Sequence, residues 1–401
     1  MAKEVNEVRS EIPFLNTGVI YLDNAATTPT PEPVIQKMNE YFHKYNANIG
    51  RGLYEAGKKS SKKFEATREK IAELVGGKSE EIVYTKNTTE AINLIARGLN
   101  FERGDKIIAS ILDHHSNLVP WQQLQSKKGV DLEVIERAPD GIIDPSAVRA
   151  AIDENTKIVT MPWISNALGT RQPVKEIGKI TKDEGVLFCI DAAQAAGNVP
   201  MNVKEIGCDF LVAPGHKGIL GPQGTGFAYI KEEKVREIEP LLYGGGMVKS
   251  ADSMTCKLVD PPQIFDAGTP NIPGIIGLGR AIEYIQEIGL EKIEEREKKL
   301  VRKMLSINEV DGVEVYGSKK AKERGGAISF NIKGINSHEV SSLLDELENI
   351  ATRSGNHCAM PALQSLGLKE SVRASVHYFN TEKETEKFAE TIGTIASELA
   401  D

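Results

Sequence analysis

The sequence predicts an α/β fold: a large domain with a doubly wound, mostly parallel sheet, followed by a smaller α+β domain. Two observations predict it. Through the first two thirds of the chain, short β-branched runs alternate with longer helical patterns at βα spacing. After about residue 274 that alternation gives way to a long charged helical region and then to well-separated strand candidates.

Taken in order, Glu81-Ile82-Val83-Tyr84-Thr85 reads as a strand and 90–99 as an amphipathic helix. Strand 106–110, helix 120–127, strand 132–135, helix 145–153 and strand 157–161 follow. Helix 174–182 and strands 186–190 and 210–213 complete the series. Beyond it, 275–307 is helical with an interruption near Gly289, and strands are expected at 313–316, 327–332 and 372–378, with helices at 338–347 and 382–399. The expected organisation is an N-terminal segment, 1–20, packing with the small domain, a large domain, 21–274, and a small C-terminal domain, 275–401.

Composition narrows the function. The 401 residues are 40% hydrophobic and 26% charged, as in a globular protein, and no stretch approaches the roughly 18 apolar residues of a membrane span. Residues 1–16 are charged and lack the apolar block of a secretory signal, so the expected location is cytoplasmic. A net charge of −8, from 49 basic and 57 acidic residues, argues against a nucleic-acid or acidic-membrane surface. Cys189, Cys208, Cys256 and Cys358 form neither a Cys-x-x-Cys motif nor a disulfide framework, so no metal site is expected.

Doubly wound sheets bind ligands beyond the carboxyl ends of their strands. After the first strand, Lys86-Asn87-Thr88-Thr89-Glu90 opens a helix, which suits either an anion site with two hydroxyl donors or ordinary capping. Asp191 ends an apolar strand and suits either a protonated ring nitrogen or the capping of the next turn. Lys217 lies between apolar runs and glycine turns, where a lysine can become an amine nucleophile. The glycines from Gly221 to Gly226 match neither common nucleotide-binding loop. In Asp113-His114-His115-Ser116-Asn117 an imidazole could stack on a ring or move a proton, or both histidines could face solvent. Cys358, in Arg353-Ser354-Gly355-Asn356-His357-Cys358-Ala359, is either a small buried hydrophobe or a nucleophile served by Arg353 and His357. Arg373 sits on a strand as a candidate for bidentate carboxylate capture. Together, a phosphate cradle, a ring-nitrogen carboxylate, a Schiff-base lysine and a stacking histidine describe a pyridoxal-phosphate pocket.

These runs resemble the cysteine desulfurases, a branch of the class V aminotransferases within pyridoxal-phosphate fold type I. The resemblance extends from Tyr21-Leu22-Asp23-Asn24-Ala25-Ala26 to Asn380-Thr381. It also includes Asn48-Ile49-Gly50-Arg51-Gly52, Ile164-Ser165-Asn166-Ala167-Leu168-Gly169 and Ala267-Gly268-Thr269-Pro270. The double histidine and the short stretch after Cys358 resemble the SufS-type subgroup. The resemblance implies that pyridoxal 5'-phosphate is bound through Lys217, with His114 stacked on its ring, Asp191 on the ring nitrogen and Gln194 on the phenolic oxygen. Thr88, Thr89 and His216 would hold the phosphate, joined by Thr269 from the other subunit of a homodimer. Asn166 and Arg373 would orient the substrate carboxylate, with Arg353 near the thiol. Cys358 would take sulfur from L-cysteine as a persulfide, releasing L-alanine, with Lys217 and His114 moving protons. A small sulfur-acceptor protein and an iron–sulfur scaffold are the implied partners. The alternative is a selenocysteine lyase, a cysteine-sulfinate desulfinase or another class V enzyme.

Two positions depart from the pattern. Pro214 stands where the family commonly has serine, so a phosphate contact is expected to be lost or replaced. Asn356 stands where a histidine often precedes the reactive cysteine, which changes the charge around the thiol.

Overall fold

Seven strands form the central sheet in the computed structural model of the protein, which describes residues 3–50 and 52–399. Arg51 of the Asn48–Gly52 run lies outside the described residues, as do positions 1, 2, 400 and 401 of the expected terminal segments. Across the sheet the order is Ile82–Thr85, Gly226–Ile230, Phe210–Pro214, Leu187–Asp191, Thr156–Pro162, Lys106–Ser110 and Asp131–Ile135. All are parallel except Gly226–Ile230, which runs antiparallel to both neighbours. That strand is absent from the sequence expectation. It is buried along its whole length, so it shows no alternation, and its approach through Gly221–Gly226 reads as loop.

Helices cover both faces. Phe188 and Ile190 join one core cluster with Ile177 and Leu278, while Cys189 joins another with Ile92 and Trp121. Successive side chains of one strand thus feed two layers, the defining feature of a doubly wound sheet. Two helices that the sequence reading left unassigned, Glu32–Lys44 and Glu55–Val75, pack against Ile272–Ile288. Helix 145–153 shortens to Pro145–Ala151.

The second sheet is antiparallel, in the order Val313–Tyr316, Ala327–Ile332, Ser371–Ser375 and Arg353–Gly355. Helices Leu290–Met304, Ser337–Glu348 and Glu382–Leu399 pack on it. Gly289, with φ +96°, breaks the preceding helical region at the expected place. The strand expected at 372–378 ends at Ser375, because the His377 N–H turns to the Asn380 side chain. Near the N-terminus, Val8, Ile12 and Leu15 enter the core of the large sheet, and Leu22 enters that of the small one. Ile20–Tyr21 pairs in parallel with Ile350–Ala351, and Asp23 bridges to Ser375. Among the described residues no helix is long and apolar enough to cross a membrane, and no cluster of His, Cys, Asp and Glu could hold a metal ion.

Candidate active site

A cavity of about 210 Å³ opens at the carboxyl ends of the parallel strands. Thr88, Thr89, His114, Asn166, Asp191, Gln194, His216 and Lys217 all line it. At the helix start, capping and ligand binding turn out to be separate tasks. Asn87 is the cap, its Oδ1 accepting from the Glu90 N–H at 2.9 Å. The buried Thr88 hydroxyl is left with no hydrogen-bond partner among the described residues, and Thr89 bonds Ser116 Oγ at 2.6 Å. A buried hydroxyl without a partner at a helix N-terminus fits an anionic group such as a phosphate.

Asp191 is buried, and its Oδ1 accepts from the Ala193 N–H at 2.8 Å, so it also secures its turn. Burial pushes its carboxyl up, while the Ala193 hydrogen bond and the Lys217 charge oppose that shift. Burial lowers the Lys217 ammonium to about 8, against the pull of Asp191 and with a further push from Arg373 and Arg353. The two turns are pressed together at glycines. A Cβ on Gly197, where φ is +86°, would lie 2.2 Å from the carbonyl carbon of Gly218. Only glycine permits the Asp191 loop to meet the Lys217 loop so closely.

His114 caps helix His115–Lys128, its Nδ1 accepting from the Ser116 N–H at 3.0 Å. That bond leaves the imidazole proton on Nε2. Burial and the Lys217 charge lower His114 to about 3, so it is neutral. His216 bonds Thr27 Oγ1 at 3.1 Å and is lowered by burial to about 4. Gln194 Nε2 donates to Ala25 O at 2.8 Å. Pro214 lines the cavity without a donor, while the hydroxyl of Ser116 lines it too.

Cys358, Arg353, Arg373 and Thr269 are not among the residues lining this cavity. The half-buried Cys358 is nevertheless tied to its wall. Its carbonyl accepts from the His115 N–H at 2.7 Å, and the neighbouring His357 carbonyl accepts from Asn166 Nδ2 at 2.7 Å. His357 and Cys358 adopt φ +52° and +54°, the left-handed region that non-glycine residues rarely occupy. Asn356 Oδ1 accepts from the Cys358 N–H at 3.0 Å. His357 corrects one expectation. It is buried, bonds Ser371 Oγ through Nε2 at 3.0 Å, and is lowered to about 3, first by burial and then by Arg373 and Arg353. It therefore brings no positive charge to the thiol.

Buried Arg373 donates from Nη1 to Asn166 O at 3.0 Å and from Nη2 to Asp23 Oδ1 at 3.2 Å. Its Nε, like Asn166 Oδ1, has no partner among the described residues. Thr269 is exposed, and its hydroxyl accepts from Asn48 Nδ2 at 3.4 Å. Asp23, Thr27, His115 and Ser116 received no role from the sequence. Asp23, His115 and Ser116 stand inside motif runs, which was the available signal. Burial pushes the Cys189 and Cys208 thiols up, and Cys256 is exposed.

A lysine, an aspartate and a histidine beyond the ends of parallel strands, facing a helix start with a spare threonine hydroxyl, define a fold and site that known proteins share. Residues 20–388 match the family model of class-V aminotransferases, and the chain belongs to that family. Within it, the similarity is to cysteine desulfurases. A probable cysteine desulfurase of Methanothermobacter thermautotrophicus is 46% identical over 97% of this chain and 98% of its own. The apo structure of a cysteine desulfurase from Thermococcus onnurineus superposes with a TM-score of 0.96 at 44% identity, covering 100% of both chains. A cysteine desulfurase of Escherichia coli gives a TM-score of 0.92 at 27% identity, also over 100% of both chains.

Proposed function

We propose that this protein is a pyridoxal-phosphate-dependent cysteine desulfurase, converting L-cysteine to L-alanine with transfer of the sulfur to Cys358 as a persulfide. One observation carries the reading. The Cys358 segment is bonded to Asn166, which lines the cavity with Lys217 and Asp191, and to His115, which sits between the lining residues His114 and Ser116.

The residues present fit the cofactor. The unpartnered Thr88 hydroxyl, Thr89 and His216 would hold its phosphate, Asp191 its ring nitrogen, Gln194 its phenolic oxygen and His114 its ring face. When bound, the cofactor supplies an electron sink for the pair left at the substrate Cα. Lys217 Nζ is the base: an amine lowered to about 8 is partly neutral near pH 7 and takes the Cα proton. Arg373, through its free Nε edge, and Asn166, through its free Oδ1, orient the substrate. The Cys358 thiolate forms an S–S bond to the substrate sulfur, the Cβ–S bond breaks, and the carbon that keeps the electron pair takes a proton. His114, neutral with its proton on Nε2, is suited to pass a proton among these groups.

The same reading includes a homodimer in which Thr269 reaches the phosphate bound by the neighbouring subunit. It further includes a small sulfur-acceptor protein feeding iron–sulfur assembly, and a cytoplasmic location. The division 1–20, 21–274 and 275–401 belongs to this proposal, with the cofactor in the large domain and the thiol in the small one.

The test is to incubate the purified holoenzyme with cysteine and measure alanine, sulfide and Cys358-bound persulfide together. Equal alanine and transferred sulfur are expected, and alanine with no thiol-bound sulfur would overturn the mechanism. Selenocysteine lyase or sulfinate desulfinase action depends less on Cys358, so a Cys358→Ala protein that lost sulfide release from cysteine but kept its activity on selenocysteine would favour that alternative.

A further inference from the structure

Asp23 is a carboxylate that the proposed chemistry does not use, and it stands between the two guanidinium groups of the substrate side. Its Oδ1 accepts from Arg373 Nη2 at 3.2 Å, and its Oδ2 lies 4.0 Å from Arg353 Nη1. Backbone pairing puts it there. Ile20–Tyr21 lies beside Ile350–Ala351, and Asp23 bridges to Ser375, two residues from Arg373. Arg373 and Arg353 also pair directly across their antiparallel strands. Arg373 is buried, with its Nε unpartnered among the described residues. The two imidazoles nearby, His114 and His357, are neutral. Asp23 thus offsets one of the two guanidinium charges on this side of the site, with Lys217 a further cation acting on all three groups.

We propose that Asp23 sets the charge selectivity of this site. By cancelling one guanidinium charge, it favours a substrate with one carboxylate, such as cysteine, over one with a second anionic group, such as cysteine sulfinate. Asp23 acts through Arg373 and Arg353 and is a positioning residue. The proposal rests on the desulfurase reading for its substrates, though not for its electrostatics. In the proposed reaction the second anionic group of a sulfinate takes the place of the cysteine sulfur that Cys358 attacks. Removing the unit negative charge beside the two guanidinium groups raises the positive charge that a doubly anionic ligand meets, and shifts relative binding by about tenfold or more.

The test uses wild-type, Asp23→Asn, Asp23→Glu and Arg353→Gln holoenzymes. For each, kcat and KM are measured with cysteine and with cysteine sulfinate, and Kd is measured by calorimetry for succinate and propionate, which carry two charges and one but do not react. Asp23→Asn is expected to raise the sulfinate-to-cysteine ratio of kcat/KM by about tenfold, mainly through KM, and to tighten succinate relative to propionate. Asp23→Glu should stay near wild type, and Arg353→Gln should move both ratios the opposite way. Equal loss for both substrates in Asp23→Asn, with an unchanged succinate-to-propionate ratio, would overturn the proposal and leave Asp23 a mere support for Arg373. If Asp23→Asn does not fold, unchanged ratios in Arg353→Gln overturn it equally. A wild-type enzyme that makes no alanine from cysteine removes the desulfurase reading, and the succinate and propionate affinities still decide the role of Asp23.

Discussion

Lys217 and Asp191 follow strands of a parallel sheet buried on both faces, whereas Cys358 follows a three-residue edge strand and stands in a left-handed backbone conformation. The first region is positioned by its core. Burial lowers its histidine and lysine pKa values, and its loops are clamped at Gly197 and Gly218. The second is positioned by hydrogen bonds to the first, from His115 and Asn166. In the proposed reaction, proton transfer therefore falls to a wall set by the core, and sulfur transfer to a segment whose place depends on that wall.

Substitutions can separate the two regions. Cys358→Ala should abolish the protein-bound persulfide altogether while leaving the cofactor cavity intact, as mass spectrometry and cofactor absorbance after exposure to cysteine would read. Lys217→Ala should break both regions' output, lowering alanine formation by about 10²–10⁴-fold from the loss of the base alone. A Lys217→Ala protein that kept its rate would remove the lysine from the mechanism.

Acid should unsettle both regions together. Histidine titrates ordinarily near 6.5, but His114 and His357 are lowered to about 3, and His216 and His377 to about 4. Between these values and 6.5 these imidazoles take up protons only in the unfolded chain, so their contribution to stability is full above pH 6.5 and is lost as the pH falls through that window. Thermal melts from pH 7 to pH 5 should show a falling midpoint, with a shallower slope in His357→Asn. Lys217 extends the trend upward. Lowered from 10.5 to about 8, it costs stability below pH 8 that is recovered as the pH rises toward 10.5.

The smallest expected effect isolates the tether. Asn166→Ala leaves the His357 carbonyl without its donor and should cost about 1–3 kcal/mol. Hydrogen exchange should rise at residues 355–360 more than at 187–191. Equal increases in both would mean that the thiol segment does not depend on this bond.

Much of the large domain was legible because its strands announce themselves. Leu187–Asp191 and Phe210–Pro214 are apolar runs that end in polar or glycine turns, and the reactive candidates follow them directly. Gly226–Ile230 was illegible, since a fully buried antiparallel strand after a glycine loop carries neither alternation nor a helical spacer. In the site, Thr88 and His114 were readable as candidates, but the choice between cap and ligand depended on Asn87 taking the capping bond. The role of His357 was misread, because adjacency to Cys358 in the chain says nothing about the pocket formed by Ser371 into which its ring turns.

By itself the sequence determined the βα alternation, the change of texture near residue 274, and the chemical identity of every group at the strand ends. These follow from local propensity and periodicity, which act over a few residues. The tertiary structure alone decided that Asp23 would sit between Arg353 and Arg373, that His115 and Asn166 would hold the Cys358 segment, and which groups would be charged. Partners 191 to 350 residues apart meet only through packing, and ionisation follows the burial that packing creates.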